Sequence, residues 1–354
     1  MSNPLLNGVR VLDLTRLLPG PFCTLYLAQL GAEVTKIEDP NGGDTLRGLS
    51  SELFELVNRG KRSVMLDLRR AEHVENFLER IMHADVVVES FRPGVLARVG
   101  LDAERLRARN PRLVVASLTG YGQTGPYANQ AGHDLNYCAF AGVLNECGTG
   151  PDQTPAIPNL QIADLAGGAL TSALAIVAAV YGAQQSGIGA TLDAAMLDGT
   201  LALQAMSLAQ LRSGTSSPRG GDMLNGGLPN YAVYRCADGR HLALGALEPK
   251  FFARFCEAVG HPQWLDLPPQ QQAEAIRQGM LTRTRDEWVT LLESADCCLS
   301  PVLAFEESLR DPQVRARGVI DESGGKPAFH FPVRFDDAWR PSLAPAPTLG
   351  QDRG

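Results

Sequence analysis

No Gly-x-Gly-x-x-Gly spacing follows the first β-like run; only Gly20 stands in that turn, between Pro19 and Pro21. Three glycines at that spacing let a backbone hug a pyrophosphate, so neither a nicotinamide nor a flavin cofactor is expected. The seven cysteines, Cys23, Cys138, Cys147, Cys236, Cys256, Cys297 and Cys298, contain no Cys-x-x-Cys pair and no His-rich spacing. An odd, scattered set reads as reduced thiols, with neither a disulfide frame nor a metal site. Positive charge is in deficit: 32 Lys/Arg against 39 Asp/Glu leave −7, which argues against a nucleic-acid partner. Neither the Met-Ser-Asn-Pro start nor the Gln-Asp-Arg-Gly end carries a secretory or peroxisomal signal, so a cytoplasmic location is expected. One uncharged run, Leu165 to Ala183, approaches the ~20 residues of a bilayer span. Its Ala/Gly content and the absence of flanking Lys/Arg make it a buried core helix, and no membrane partner is expected.

With 44% hydrophobic and 20% charged residues the composition is that of a globular chain, long enough for about two domains. Short β-branched runs alternate with helical patterns. Val9–Thr15, Glu33–Glu38, Ser63–Leu68, Val86–Glu89 and Leu113–Leu118 read as strands, with helices around Phe22–Leu30, Glu52–Val57, Glu72–Met82 and Val95–Arg109. Such alternation implies βαβ units, a mainly parallel sheet and right-handed crossovers. Ligands then bind beyond the carboxyl ends of the strands, which points to Arg16–Phe22, Asp39–Gly48, Glu89–Gly94 and Thr119–Gly125. The fold expected is α/β: a large Rossmann-like domain over 1–190, completed by 325–354, and a smaller α+β domain over 225–315. Residues 191–224 are expected to cross between them, Arg212–Asn230 being a Gly/Ser/Pro/Asn-rich stretch with little periodicity, and 316–324 is the return linker. Gly189–Met196 still resembles one more strand, and Tyr231–Leu247 reads as a hairpin turning at Asp238-Gly239.

Between Leu56 and Arg112 twelve Lys/Arg face eight Asp/Glu, a basic segment in an acidic chain. Arg69, Arg70, Arg105, Arg107 and Arg109 read as a solvated helix face. Arg59, Lys61 and Arg92 stand at strand ends, where guanidinium forks and an ammonium suit a phosphate-bearing ligand, or equally plain solvation. His133 and Asp164 are titratable groups of different acidity, each set among small residues, with Glu248 much later in the chain. Each has a plain structural alternative. Asp164 suits a helix N-cap, His133 beside Asp134 suits a hydrogen-bonded structural histidine, and Glu248 before Pro249 suits a helix start.

Several stretches together resemble the CaiB/BaiF family, the type III coenzyme A transferases and their racemase relatives. They are Leu12–Thr15 with Pro19–Pro21, Leu30–Pro40, Asn58–Leu68, Phe91–Gly94, Asn110–Leu113, Gly120–Pro126 and Gly187–Asp193, in order along the chain. Gly132-His133-Asp134-Leu-Asn136-Tyr137 and Gly245–Phe251 look like the α-methylacyl-CoA racemase branch. The resemblance implies an isomerase of lipid and fatty-acid metabolism that inverts the α-carbon of 2-methyl-branched acyl-CoA thioesters without a cofactor, coenzyme A being part of the substrate. His133 and Asp164 would be the opposing acid/bases, with Glu248 assisting from the partner subunit of an interlocked homodimer. The enolate would be held by free N–H groups of a helix starting at Asp164, while Gly167 and Gly168 make way for the acyl thioester. Coenzyme A would meet Arg59, Lys61 and Arg92 at its phosphates and the Met65–Leu68 strand edge, Asp67 and Leu68 included, at its adenine. Gly132, Asp134, Asn136 and Tyr137 would line the same site. Racemases of this family often carry a basic residue before the proline after the second strand; here it is Asp39, and Lys36 or Arg47 would substitute. The alternatives implied are a transferase whose Asp164 accepts the acyl group, and a non-catalytic acyl-CoA binding protein.

Overall fold

The computed structural model describes residues 4–335 and 342–352; the parts of the expected C-terminal segment at 336–341 and 353–354 lie outside the described residues. The chain divides into two units. The first comprises residues 1–143, 158–204 and 317–354, and the second 144–157 and 205–316.

The first unit is built on a six-stranded, wholly parallel sheet. Its strands are β1 (Arg10–Asp13), β2 (Glu33–Glu38), β3 (Arg62–Met65), β4 (Val86–Glu89), β5 (Val114–Thr119) and β6 (Thr191–Ala195), in the order β3-β2-β1-β4-β5-β6. Val86, Val87 and Val88 are all fully buried, since helices cover both faces of a parallel sheet and leave no polar alternation. Helix α1 (Pro19–Gln29) starts on a proline whose fixed φ suits the first helical position, and the chain leaves it through Gly31 at φ 102°. Helix α2 (Ala71–Ile81) buries Val74, Phe77, Leu78 and Ile81, the i, i+3, i+4, i+7 stripe of a one-sided helix. The strand order reverses between β1 and β4, which makes the carboxyl ends of these two strands the switch point where such sheets take ligands.

Beyond β5 come α3 (Asp134–Phe140), a π-helical segment Ala163–Leu170 that runs on into α4 (Thr171–Ser186), and then α5 (Met196–Ala202) after β6. The π segment was not foreseen, nor was the exposure of α4. Expected to be buried throughout, this helix turns Leu174 (72% exposed) and Tyr181 (66%) outward. The stretch from Ala163 to Ser186 is long and apolar enough to cross a membrane by length and composition. Residues 342–352 run along the open edge of β3. There the Asp352 N–H donates to Ser63 O at 3.0 Å and Asp352 Oδ2 accepts from Ser63 N–H at 2.9 Å, pairing an edge that would otherwise be bare.

The second unit holds the three-stranded antiparallel sheet β7 (Tyr231–Arg235), β8 (His241–Gly245) and β9 (Leu299–Pro301). The hairpin between β7 and β8 turns at Asp238-Gly239, with Gly239 at φ 80°, where other residues are strained. Helices α6 (Pro249–Ala258), α7 (Pro269–Met280) and α8 (Arg285–Leu292) pack Phe255, Ile276 and Trp288 onto Leu242 and Leu244 of that sheet. Two segments depart from the expected boundaries. Residues 191–204 are strand and helix of the first unit, not crossing, and 144–157 join the second.

Candidate active site

The turn that carries His133 is built by its neighbours. Tyr137 Oη donates to Gly132 O at 2.6 Å, and a Cβ on Gly132 or Gly120 would lie 2.7 or 2.4 Å from the Tyr137 ring. Tyr121 meets that ring edge-on at 5.1 Å. His133 is the N-cap of α3, and its backbone N–H donates to Asn136 Oδ1 at 3.0 Å. Of the residues implied by the resemblance to be coenzyme contacts, Gly132 and Tyr137 therefore bond and pack against each other and Asn136 holds the His133 N–H, which fixes the backbone on either side of His133. The His133 side chain is exposed, at the mouth of the turn. As the first residues of α3, Asp134 and Leu135 also leave their N–H groups without an acceptor among the described residues.

Asp134 reaches across to the π segment. Its Oδ1 accepts from Ala163 N–H at 2.7 Å and from Asp164 N–H at 3.0 Å. Asp164 is thus not the N-cap; the helix begins one residue before it, and a carboxylate from α3 caps the segment. Leu165 N–H donates to Gln161 O at 2.9 Å, so the amides at the start of this segment are already engaged and do not serve as enolate donors. Asp164 is half-buried, and burial, followed by repulsion from Asp134, pushes its pKa up to about 7. A π turn at a reactive side chain is a frequent arrangement, because the widened ladder re-aims one residue.

Gly167 and Gly168 have a different task from the one expected. A Cβ on Gly167 would lie 2.3 Å from Thr200 Oγ1 and 2.7 Å from Thr200 N, and one on Gly168 would lie 2.6 Å from Met196 Cγ. They let α5 pack against the π segment, which needs no passing thioester to explain it.

The basic residues sort by what holds them. Lys61 is buried and donates to Asp13 Oδ2 (3.1 Å), Pro21 O (2.9 Å), Thr24 Oγ1 (2.8 Å) and Asn58 Oδ1 (2.8 Å). Burial alone would raise Asp13, but Lys36 and Lys61, with bonds from Thr15 and Thr24, hold it well below the usual carboxylate range, while its own burial lowers Lys61 to about 8. Lys36 is fully buried between Asp44 (3.0 Å) and Thr15 O (2.8 Å). Arg59 pairs with Asp321 at 3.0 Å, and Arg47 with Glu38 at 2.7 Å. All four cations engage the protein's own acceptors, so the phosphate roles given to Lys36, Arg59 and Lys61, and to Arg47 as substitute, lose their ground. Arg92 differs: it is exposed, follows β4, and has no ion pair among the described residues. Arg16, which sequence reading passed over, is likewise unpaired and lies with its guanidinium 5.0 Å from the Phe91 ring centre. These two arginines stand at the carboxyl ends of β1 and β4, the switch point; the strand-end rule had pointed to both stretches but could not single out Arg16.

At those strand ends a cavity of about 160 Å³ is lined by Leu14, Arg16, Ile37, Leu66 and Phe91, with Asp67 and Leu68 also among its walls. Arg69, expected on a solvated helix face, stands in the turn before α2 and belongs to the same lining, bridging Asp39 (3.2 Å) and Asp67 (2.6 Å). Met65 lies outside this lining; it is half-exposed and packs on Gly350, where a Cβ would meet its side chain. Glu248, in the second unit, is the exposed N-cap residue of α6, and its carboxylate makes no capping bond. Among the described residues no cluster of His, Cys, Asp and Glu could hold a metal ion.

The sequence model of CoA-transferase family III matches residues 6–353. The chain is 36% identical to the alpha-methylacyl-CoA racemase of Mus musculus, over 98% of this chain and 87% of that one. It is 34% identical to the succinate–glutarate CoA-transferase of Agrobacterium fabrum (strain C58 / ATCC 33970), over 98% and 94%. A CaiB/BaiF family protein from Brucella suis superposes with a TM-score of 0.87 at 29% identity, covering 99% of this chain and 97% of that one. The chain is therefore an enzyme of CoA-transferase family III, a family whose matched members include both racemases and CoA-transferases.

Proposed function

We propose that the chain is a cofactor-independent racemase of 2-methyl-branched acyl-CoA thioesters. One base takes the α-proton, the electron pair moves onto the thioester oxygen as an enolate, and a second group returns a proton to the opposite face. His133 and Asp164 are the two groups, with Glu248 assisting from the partner of an interlocked homodimer, in a cytoplasmic enzyme of lipid metabolism. The observation that carries the reading is Asp164, half-buried, charge-coupled to Asp134 and brought to about 7. An acid/base partner works best near the operating pH, whereas an acyl-accepting nucleophile needs its carboxylate charged. The exposed imidazole of His133 supplies the complementary group, and the free N–H groups of Asp134 and Leu135 are donors for the enolate oxygen. The outward Leu174 and Tyr181 of α4 support a second copy covering that helix.

Incubating a 2-methylacyl-CoA in deuterated water without any carboxylic acid acceptor tests the reading. Deuterium at the α-carbon is expected. No incorporation until an acceptor acid is added, followed by exchange of coenzyme A between acids, would establish the second reading instead. That reading is a transferase with Asp164 as acyl acceptor, favoured by the 34% identity to a CoA-transferase. Mixing His133→Ala and Glu248→Ala chains tests the shared site: regained activity in the mixture is expected, and none would remove Glu248 from the partner's role.

A further inference from the structure

Two buried charges of the first unit serve no step of the proposed reaction. Lys36 and Asp44 are fully buried and pair at 3.0 Å, an arrangement that costs the hydration of both groups. What they share is the turn between β1 and α1. Lys36 Nζ donates to Thr15 O at 2.8 Å, and Asp44 Oδ1 accepts from Leu17 N–H at 3.0 Å. Between these two anchors Arg16 N–H donates to Ser90 Oγ at 3.2 Å. Leu17 stands at φ 65°, a conformation that so bulky a residue rarely adopts. Strain of that kind persists only where the surroundings over-determine it, and it gathers at ligand clamps.

The residue this turn presents is Arg16. Its side chain is exposed, has no carboxylate partner among the described residues, and lies with its guanidinium 5.0 Å from the Phe91 ring centre. A guanidinium laid against a ring keeps its N–H edge for an anion. Arg16 and Phe91 both line the cavity of about 160 Å³, whose other walls include Leu14, Ile37 and Leu66. An apolar cavity of about 150 Å³ admits one aromatic ring. Among its charged walls Arg16 and Arg69 offset Asp39 and Asp67. Arg69 is tied to both carboxylates, at 3.2 and 2.6 Å, which leaves Arg16 as the uncommitted cation of this lining. A flat base carrying a phosphate on its sugar is the ligand that suits such a cavity and such a guanidinium together.

We propose that Arg16 pairs with a phosphate on the adenosine of coenzyme A, whose base enters the cavity, and that the buried Lys36–Asp44 pair positions Arg16 by holding Leu17 in its strained conformation. The proposal rests on the acyl-CoA reading. Lys36 and Asp44 are positioning residues, since they touch the turn and not the ligand.

Calorimetric titration of coenzyme A and of 3′-dephospho-coenzyme A into the parent protein and its variants tests both parts. Arg16→Gln should weaken coenzyme A by about tenfold or more, the size of one charge-assisted contact, and Arg16→Lys, which keeps the charge, by less. An equal loss for the dephospho form assigns the contact to the 5′-diphosphate, and no loss assigns it to the 3′-phosphate. In deuterium wash-in the KM of a 2-methylacyl-CoA should rise with kcat within about twofold of the parent, because the contact is equal in ground and transition states. Leu17→Ile adds a β-branch that resists positive φ on an exposed side chain, and should weaken coenzyme A by about threefold or more. Asp44→Ala should lose at least as much, and Leu17→Gly, unstrained at that φ, should recover part of the loss when added to it. Unchanged coenzyme A affinity in Arg16→Gln overturns the phosphate contact, and unchanged affinity in Leu17→Ile overturns the positioning role even where Asp44→Ala fails to fold. Both results leave the acyl-CoA reading intact, whereas a parent that binds neither ligand defeats that reading and the proposal with it.

Discussion

Asp134 Oδ1 accepts the backbone N–H of Asp164 at 3.0 Å, and the two carboxyl groups repel each other strongly enough that Asp134 is the second cause, after burial, of the raised pKa of Asp164. One side chain therefore caps the π segment and tunes the residue within it. Asp134 also directly follows His133 at the start of α3, so the geometry of both proposed acid/bases passes through it.

Removing the charge but keeping an oxygen acceptor separates these two roles. In Asp134→Asn the limb of the pH–rate profile that belongs to Asp164 should move to lower pH by about one unit. Asp134→Ala should in addition lose about 2 kcal/mol of stability with both capping bonds. Deuterium wash-in across pH and urea melts read the two effects, and an unshifted profile in Asp134→Asn would disconnect the pair.

His133→Ala should slow α-proton exchange by ~10²–10⁴, the usual contribution of a positioned acid or base. Mass spectrometry of recovered thioester measures it, and near-normal exchange would take His133 out of the mechanism.

The raised pKa of Asp164 also makes a stability statement. Above about pH 4 an unfolded chain gives up this proton, while the folded one keeps it until about pH 7. The contribution of Asp164 to the native state is thus full below that range and is lost as pH rises through it. Asp164→Asn, neutral throughout, should gain on the parent between pH 5 and pH 8 by on the order of 2 kcal/mol. Urea midpoints at the two pH values check the sign, and a pH-independent difference contradicts it.

Lys61→Met should cost about 3–5 kcal/mol, because it strands the buried Asp13 carboxylate. Arg62→Met, which removes an exposed partner of Glu33, should stay within about 1 kcal/mol. Were Lys61 a phosphate ligand instead, the folded variant would keep its stability and lose coenzyme A affinity.

Gly167→Ala places a methyl against Thr200 N and Oγ1 and should destabilise by about 1–3 kcal/mol through overpacking. A variant of full stability with a raised KM would return Gly167 to the substrate path.

The parallel sheet, the order of its strands and helices, and the hairpin at Asp238-Gly239 were legible because their signals are local. Valine runs such as Val86–Val88, the stripe Val74, Phe77, Leu78 and Ile81, and an Asp-Gly turn act over a few residues. His133, Asp164 and Glu248 were singled out as candidates only through the resemblance, since nothing around them excluded a cap or a structural histidine. The π segment left no local trace, and Arg16 stood in a stretch that the strand-end rule marks without singling it out.

What the amino-acid order settled alone was the α/β architecture, the position of its strand ends and the presence of two titratable groups with unequal acidity. Tertiary structure decided what each charge does. Arg59 finds Asp321, Lys36 finds Asp44, and Asp134 reaches the amides of Ala163 and Asp164, partners that lie from 8 to 262 residues away. A buried ionic group must be compensated by whatever the fold brings to it, and that acceptor is chosen by packing and not by neighbours in the chain.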